Sequence, residues 1–254
     1  MGLPAALASI SPALVKAGVQ LGHPGPGEGE PAGLPFGIPE LDELLPDRGI
    51  VRGGVVELSV SGASGVATSL ALSAVRSVQA QARTLLAADA VPWCAFVDAS
   101  GTLYAPGVHA AGVDLGRLLV VRPPPEAIGR VSLKLVESGV FPLIVVDTVG
   151  TLGKSLPGGL GNFERVVRRL SMGVDGTANS VLLITDERAQ RSLPLPVAQR
   201  LVIARPSLER LMVRVAKDRR GRVTPARSLH WSRGTPFLAK AAGEGGGTNV
   251  RKLA

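Results

Sequence analysis

Continuous apolar runs alternate through the middle of the chain with segments whose apolar residues recur at helical spacing. Val55–Val60, Pro92–Val97, Leu118–Val121, Leu143–Val146 and Val181–Ile184 each read as a short buried strand. Two of them run straight into a carboxylate, Asp98 and Asp147. Between the strands, Val66–Gln81 sets Leu70, Leu72, Val75 and Val78 on one side of a helix, and Pro125–Ser138 and Phe163–Met172 repeat the spacing. Strands without polar alternation are buried on both faces, so the pattern predicts a mostly parallel sheet covered by helices. After Thr185-Asp186 the pattern changes. Arg200–Ala204, Leu211–Ala216 and Arg227–Trp231 follow one another with no helical segment between them, which predicts an antiparallel edge. The expected class is α/β, with that edge at the C-terminal side.

The ends of the chain are patterned differently. Residues 3–21 carry Leu7, Ile10, Leu14 and Val15 at spacings that fit a short helix, interrupted by Pro12. A Pro/Gly linker, His23 to Pro31, follows, so 1–33 is expected to be a helix and linker, and 34–233 the folded core. Gly243 to Gly247 lie in a stretch, 234–254, expected to be a flexible basic tail. No run reaches ~18 apolar residues, so no membrane span is expected. No basic stretch precedes the first apolar run, which argues against a secretory signal and for the cytoplasm. A single cysteine, Cys94, and three scattered histidines exclude a disulfide framework and make a metal centre unexpected; no cofactor is expected.

Charge sharpens this picture. The chain of 254 residues carries a formal net charge of +8. Through Asn162 there are ten basic and thirteen acidic residues, net −3; beyond it there are eighteen and seven, net +11. Such a surface concentrates polyanions and releases counterions on binding nucleic acid. The plainer reading is a solvated arginine-rich surface, because aromatics that would stack on bases are almost absent there: Trp231 and Phe237 are the only two after Phe163.

The candidate chemistry lies where the first long strand meets its helix. Val60-Ser61-Gly62-Ala63-Ser64-Gly65-Val66-Ala67-Thr68 has the setting of a phosphate-binding loop: strand, small residues, helix N-terminus. A working loop needs Gly, four residues, then Gly-Lys-Ser/Thr, the lysine for phosphates and the hydroxyl for Mg²⁺. Gly65 is kept, but Val60 stands for the first glycine, Val66 for the lysine and Ala67 for the hydroxyl residue. The alternative is a strand-to-helix turn that needs small residues only for packing. Asp147, closing the strand Leu143–Val146, holds the position of a Walker-B carboxylate, or simply caps the turn at Thr148.

The segment Gly37-Ile38-Pro39-Glu40-Leu41-Asp42-Glu43-Leu44-Leu45 and the run Arg48-Gly49 to Leu58 resemble the opening of the RecA recombinase core. The likeness continues through Phe96-Val97-Asp98-Ala99, Ala111-Gly112-Val113-Asp114 and Ile144-Val145-Val146-Asp147-Thr148-Val149, and spans roughly residues 34–231. The resemblance implies a RecA-like fold. It also implies where ATP hydrolysis would need its groups: Ser100 stands where the family has its general-base glutamate, and Thr185-Asp186 where it has an Asn-Gln pair that senses the γ-phosphate. Phosphoryl transfer rests on positioning and charge stabilisation, so lysine, hydroxyl, base and sensor missing together imply a protein relieved of catalysis. In this the chain resembles the ImuA family of small RecA-like proteins with degenerate P-loops. That resemblance implies an accessory role in SOS-induced translesion synthesis. The partners implied are RecA recombinase, an ImuB-type Y-family-like protein and an error-prone replicative-type DNA polymerase.

Binding residues follow the same resemblance. The two loops that contact DNA in RecA-like proteins correspond to Gly153–Asn162, with Lys154, and Glu187–Arg205, with Arg188, Arg191, Arg200 and Arg205. Arg200 and Arg205 flank an apolar strand and can equally serve as strand-end ion-pair partners. Lys217-Asp218-Arg219-Arg220-Gly221-Arg222 is the densest basic cluster, and Lys217 and Arg219 align with two lysines that reach the neighbouring subunit's ATP in RecA filaments. An exposed turn around Gly221 is the alternative. Three functions stay open: a non-catalytic adaptor, a divergent DNA-dependent ATPase drawing a lysine such as Lys154 or Lys217, and a stand-alone DNA-binding protein.

Overall fold

The computed structural model describes residues 33–61, 64–85, 91–149, 159–186 and 195–231. The N-terminal segment, the C-terminal tail, Lys154, Arg188 and Arg191 therefore lie outside the described residues. In chain order the elements are β1 (Gly33–Leu34), α1 (Pro39–Leu44), β2 (Ile50–Val51), β3 (Val55–Ser61), α2 (Ser64–Leu85) and β4 (Cys94–Asp98). Then come α3 (Ala105–Ala110), β5 (Leu118–Val121), α4 (Ile128–Glu137), β6 (Leu143–Asp147) and α5 (Gly159–Val174). β7 (Ser180–Asp186), β8 (Gln199–Ser207), β9 (Arg210–Asp218) and β10 (Arg227–His230) complete the list. Short 3₁₀ turns precede β5 and α4, so the helix expected from Pro125 becomes regular only at Ile128.

β1 and β2 form a two-stranded antiparallel ribbon. All other strands form one eight-stranded sheet in the order β10-β9-β8-β3-β7-β6-β4-β5. Parallel pairing runs from β8 through β3, β7, β6 and β4 to β5; β9 is antiparallel to β8, and β10 to β9. The class expected from the sequence is the class observed, and the three C-terminal strands form the expected antiparallel edge. The first of them, β8, also lies parallel beside β3 and so joins that edge to the parallel sheet. The apolar pattern of a strand reports which faces are buried and not which direction its neighbour runs, so this pairing was hidden.

Two cores sandwich the parallel part. Phe96 of β4, Leu143 and Val145 of β6, and Leu182 and Ile184 of β7 face one core, together with Leu70, Ala74 and Val78 of α2. Their neighbours Ala95, Val97, Ile144, Val146, Val181 and Leu183 face the other, against Leu135 of α4 and Val167 and Leu170 of α5. Strands apolar at every position are thereby buried at every position, as in β4 and β6. The second core depends on close helix contact: a Cβ on Gly129 would come within 2.8 Å of Val166 Cγ2, and one on Gly173 within 2.8 Å of Val136 Cγ1. β8 and β9 instead alternate, with Leu201, Ile203, Leu211, Val213 and Val215 buried on the first core only.

The opening motif has a physical cause. Gly37 adopts φ +73, a backbone conformation that favours glycine. Asp42 then reaches back and accepts hydrogen bonds from the backbone N–H groups of Phe36, Gly37 and Ile38 at 2.7–3.1 Å. The spacing from Gly37 to Asp42 thus closes the turn that starts α1 and buries Phe36 and Leu41.

Candidate functional site

The carboxyl ends of β3, β4 and β6 lie together, because β3 pairs with β7, β7 with β6, and β6 with β4. Ligands in open α/β sheets bind at such strand ends. A cavity of about 550 Å³ opens there, bounded by Gly65, Thr68, Ser69 and Leu72 of α2, by Ser100, Thr102, Leu103, Tyr104, Gly107 and Val108 after β4, and by Asp147 and Val149 after β6. Three of the residues singled out in the sequence, Gly65, Ser100 and Asp147, meet around it.

The others are placed differently. Val66 and Ala67 are 2% and 0% exposed, packed into the core on the sheet side of α2. Val60 is buried in the same core and faces Asp186 across the β3–β7 pairing. A helix changes face about every 100° per residue, so side chains one step on, Thr68 and Ser69, turn to the cavity. These two hydroxyl residues are what sequence reasoning missed. Their signal was present, since Thr68 directly follows the degenerate motif, but the fixed motif register assigned the hydroxyl to Ala67. Tyr104, the residue before α3, was also missed; it stands 70% exposed at the rim.

Two carboxylates sit side by side at the strand ends, Asp98 paired with Asp147 in the β4–β6 register, and of the two Asp147 bounds the cavity. Asp98 is satisfied. It accepts from the N–H groups of Thr102 and Leu103 at 3.0 and 3.1 Å and forms an ion pair with Arg122 at 3.1 Å. Asp147 is 5% exposed and accepts one hydrogen bond through Oδ1, from the Val149 N–H at 3.0 Å, the turn-capping contact. Burial, with the nearby Asp98 charge adding to it, pushes the Asp147 carboxyl up to about 6. Beside it Thr148 donates its hydroxyl to the Ile184 carbonyl at 2.7 Å, tying β6 to β7. At the rim the Ser100 and Thr102 hydroxyls lie 3.2 Å apart.

A nucleoside triphosphate with Mg²⁺, the ligand this loop setting implies, can be tested against these residues. Among the described residues that bound the cavity there is no lysine or arginine, and the one charged group is a carboxylate. Polyphosphate needs cations at that point. The residues described do not fit the group.

The basic candidates lie across the antiparallel end of the sheet. Arg200 gives its Nε to Glu57 at 2.6 Å, while Thr185 donates to the other Glu57 oxygen at 2.8 Å, so this buried carboxylate is held between β7 and β8. Arg205 bonds the Ser207 and Leu208 carbonyls and braces the β8–β9 turn. Lys217 donates to the Leu195 carbonyl at 2.7 Å, and burial, with Arg200 next, lowers its basicity. Arg222 pairs with Asp47 and Asp218 at 2.6 and 3.0 Å, and Arg220 stands 3.6 Å from Asp47. In Asp218 burial is outweighed by hydrogen bonds from Arg222 and from the Arg220 and Arg222 backbone, so its carboxyl lies below the usual range. Arg219 is exposed and turns out of this network.

Comparison with known proteins matches residues 6–164 to the RecA N-terminal domain family. The RecA protein of Cutibacterium acnes is 36% identical over 122 residues, covering 48% of this chain and 32% of that protein. RecA of Mesorhizobium japonicum is 30% identical over 167 residues, 61% of this chain and 43% of that protein. RecA of Bordetella avium is 32% identical over 160 residues, 58% and 42% respectively. The chain spans less than half the length of these relatives.

Proposed function

Given that the chain belongs to the RecA family through its N-terminal domain, we propose that it is a non-catalytic accessory protein of mutagenic DNA repair. It acts in SOS-induced translesion synthesis, in the manner of the ImuA family, by binding RecA recombinase or the polymerase partners of a mutasome. The observation that carries this reading is the turned helix start. Val66 and Ala67, where lysine and hydroxyl would stand, are core residues, while the cavity beside them holds an ionisable carboxyl and no cation among the described residues. The opening turn, the sheet and the strand-end carboxylates keep the family's scaffold, so what is conserved in this chain is shape without the means of phosphoryl transfer.

A partner surface remains at the basic turn, where Arg219 is exposed beside the neutralised Arg220 and Arg222. A binding titration against the recombinase of the same organism, with and without single-stranded DNA, tests the reading. Saturable binding that Arg219→Glu weakens at least tenfold is expected. Absence of binding in both states would move the function to direct DNA binding, seen as an affinity that falls steeply with salt.

A further inference from the structure

We propose that the cavity between α2 and the loop after β4 binds a small organic monocation, an ammonium or guanidinium group on an apolar stem. The inference rests on the reading above that this cradle no longer handles a nucleoside triphosphate.

Its size of about 550 Å³ falls within the range of small-molecule sites, roughly 300–1,000 Å³. Its charge is set by Asp147. That side chain is nearly buried, and with Oδ1 taken by the Val149 N–H, Oδ2 has neither a donor nor a cation among the described residues. Arg122, which neighbours Asp98, is committed to that carboxylate and to the Leu103 carbonyl. A nearly buried carboxylate attracts a cation more strongly than a fully exposed one does, and a polyphosphate is repelled for the same reason. A divalent metal is a poorer occupant. No cluster of three His, Cys, Asp or Glu side chains gathers among the described residues, and hard divalent ions take six or more oxygen ligands.

The remaining walls select for an organic body. Leu72, Leu103 and Val108 supply apolar surface, and the exposed Tyr104 ring at the mouth can lie against a cationic head or an apolar stem. The Ser69 hydroxyl already donates to the Gly65 carbonyl at 2.8 Å, so towards the cavity it offers lone pairs, which also suit an N–H donor.

The test uses the full chain at pH 7.5, with phenethylamine and its uncharged isostere 2-phenylethanol as probes in ligand-observed saturation-transfer NMR. The amine is expected to bind at least tenfold more tightly than the alcohol. Asp147→Asn is expected to erase that preference while leaving the alcohol bound, and Thr68→Trp, which fills the cavity from the helix surface, to abolish both. Equal affinity for the two probes, or an amine preference that survives in Asp147→Asn, overturns the proposal. A parallel assay of MgATP turnover separates the failures. Turnover defeats the adaptor reading, whereas no turnover and no binding of either probe defeats this inference alone.

Discussion

Two regions of the molecule invert what their sequences suggest. The strand-to-helix cradle looks like an anion site, and its described walls are hydroxyl, apolar and carboxylate. The turn after β9 looks like the most cationic patch, and most of its charge is consumed inside the fold: Arg222 and Arg220 by Asp47, Arg222 again by Asp218, Lys217 by a carbonyl. The difference teaches that residue types set the available charge, while backbone geometry decides where it acts. In the cradle one helical step carries positions 66 and 67 into the core and 68 and 69 into the cavity. At the turn, Asp47, which precedes β2 by three residues, reaches a cluster 175 positions away along the chain.

The comparison can be broken first at the cradle. Val66→Lys, which restores the motif's cation on paper, is expected to lower stability by about 3–4 kcal/mol, because it puts an ammonium where an apolar side chain is buried. Chemical denaturation would check this, and a stable variant that gains MgATP affinity would show that position 66 faces the cavity after all. At the turn, Asp218→Ala is expected to cost about 2–3 kcal/mol. The side chain is fully buried, but its Arg222 partner is a third exposed, which discounts the loss of a buried pair. Arg222→Lys should recover little, since a point charge cannot span Asp47 and Asp218 together.

The smallest effect sharpens the contrast through pH. The Asp147 carboxyl lies at about 6 when folded, against an ordinary value near 3.8. A raised folded value means that the protonated group favours the fold: that contribution is complete below about 3.8 and is lost as pH rises through about 6. Above that window the charged group costs up to about 3 kcal/mol, or about 2 with water reaching the cavity side. Asp147→Asn should therefore raise the denaturation midpoint at pH 8 and leave it unchanged at pH 4. Thermal melts at the two pH values decide it.

Much of the fold was legible because its causes are local. The continuous apolar runs Leu143–Val146 and Val181–Ile184 fall within the central strands β6 and β7, and Val55–Val60 within β3, whereas the equally apolar Leu118–Val121 is the edge strand β5. The segment from Gly37 to Asp42 was legible only as a family resemblance; in the fold it is a turn that the carboxylate closes with three backbone hydrogen bonds. The short α1 and α3 escaped notice because six residues hold too few turns to show a period, and each begins at or next to a proline. At the site, Asp147 was readable from its strand end, Gly65 from the register of the loop motif, and Ser100 only through the family resemblance. Thr68 and Ser69 were not, because their direction depends on how α2 is rotated about its axis. The Glu57–Arg200 pair was equally hidden: it joins residues 143 apart, and only the parallel placement of β8 beside β3 brings them together.

The most direct measurement is ATP turnover by the purified chain with Mg²⁺, with and without single-stranded DNA. The expected result is no hydrolysis above a protein-free blank in either condition, and no change when Asp147→Ala replaces the wild type. DNA-stimulated hydrolysis that disappears in Asp147→Ala would contradict the central claim, since it would mean that the cavity still assembles a phosphoryl-transfer site.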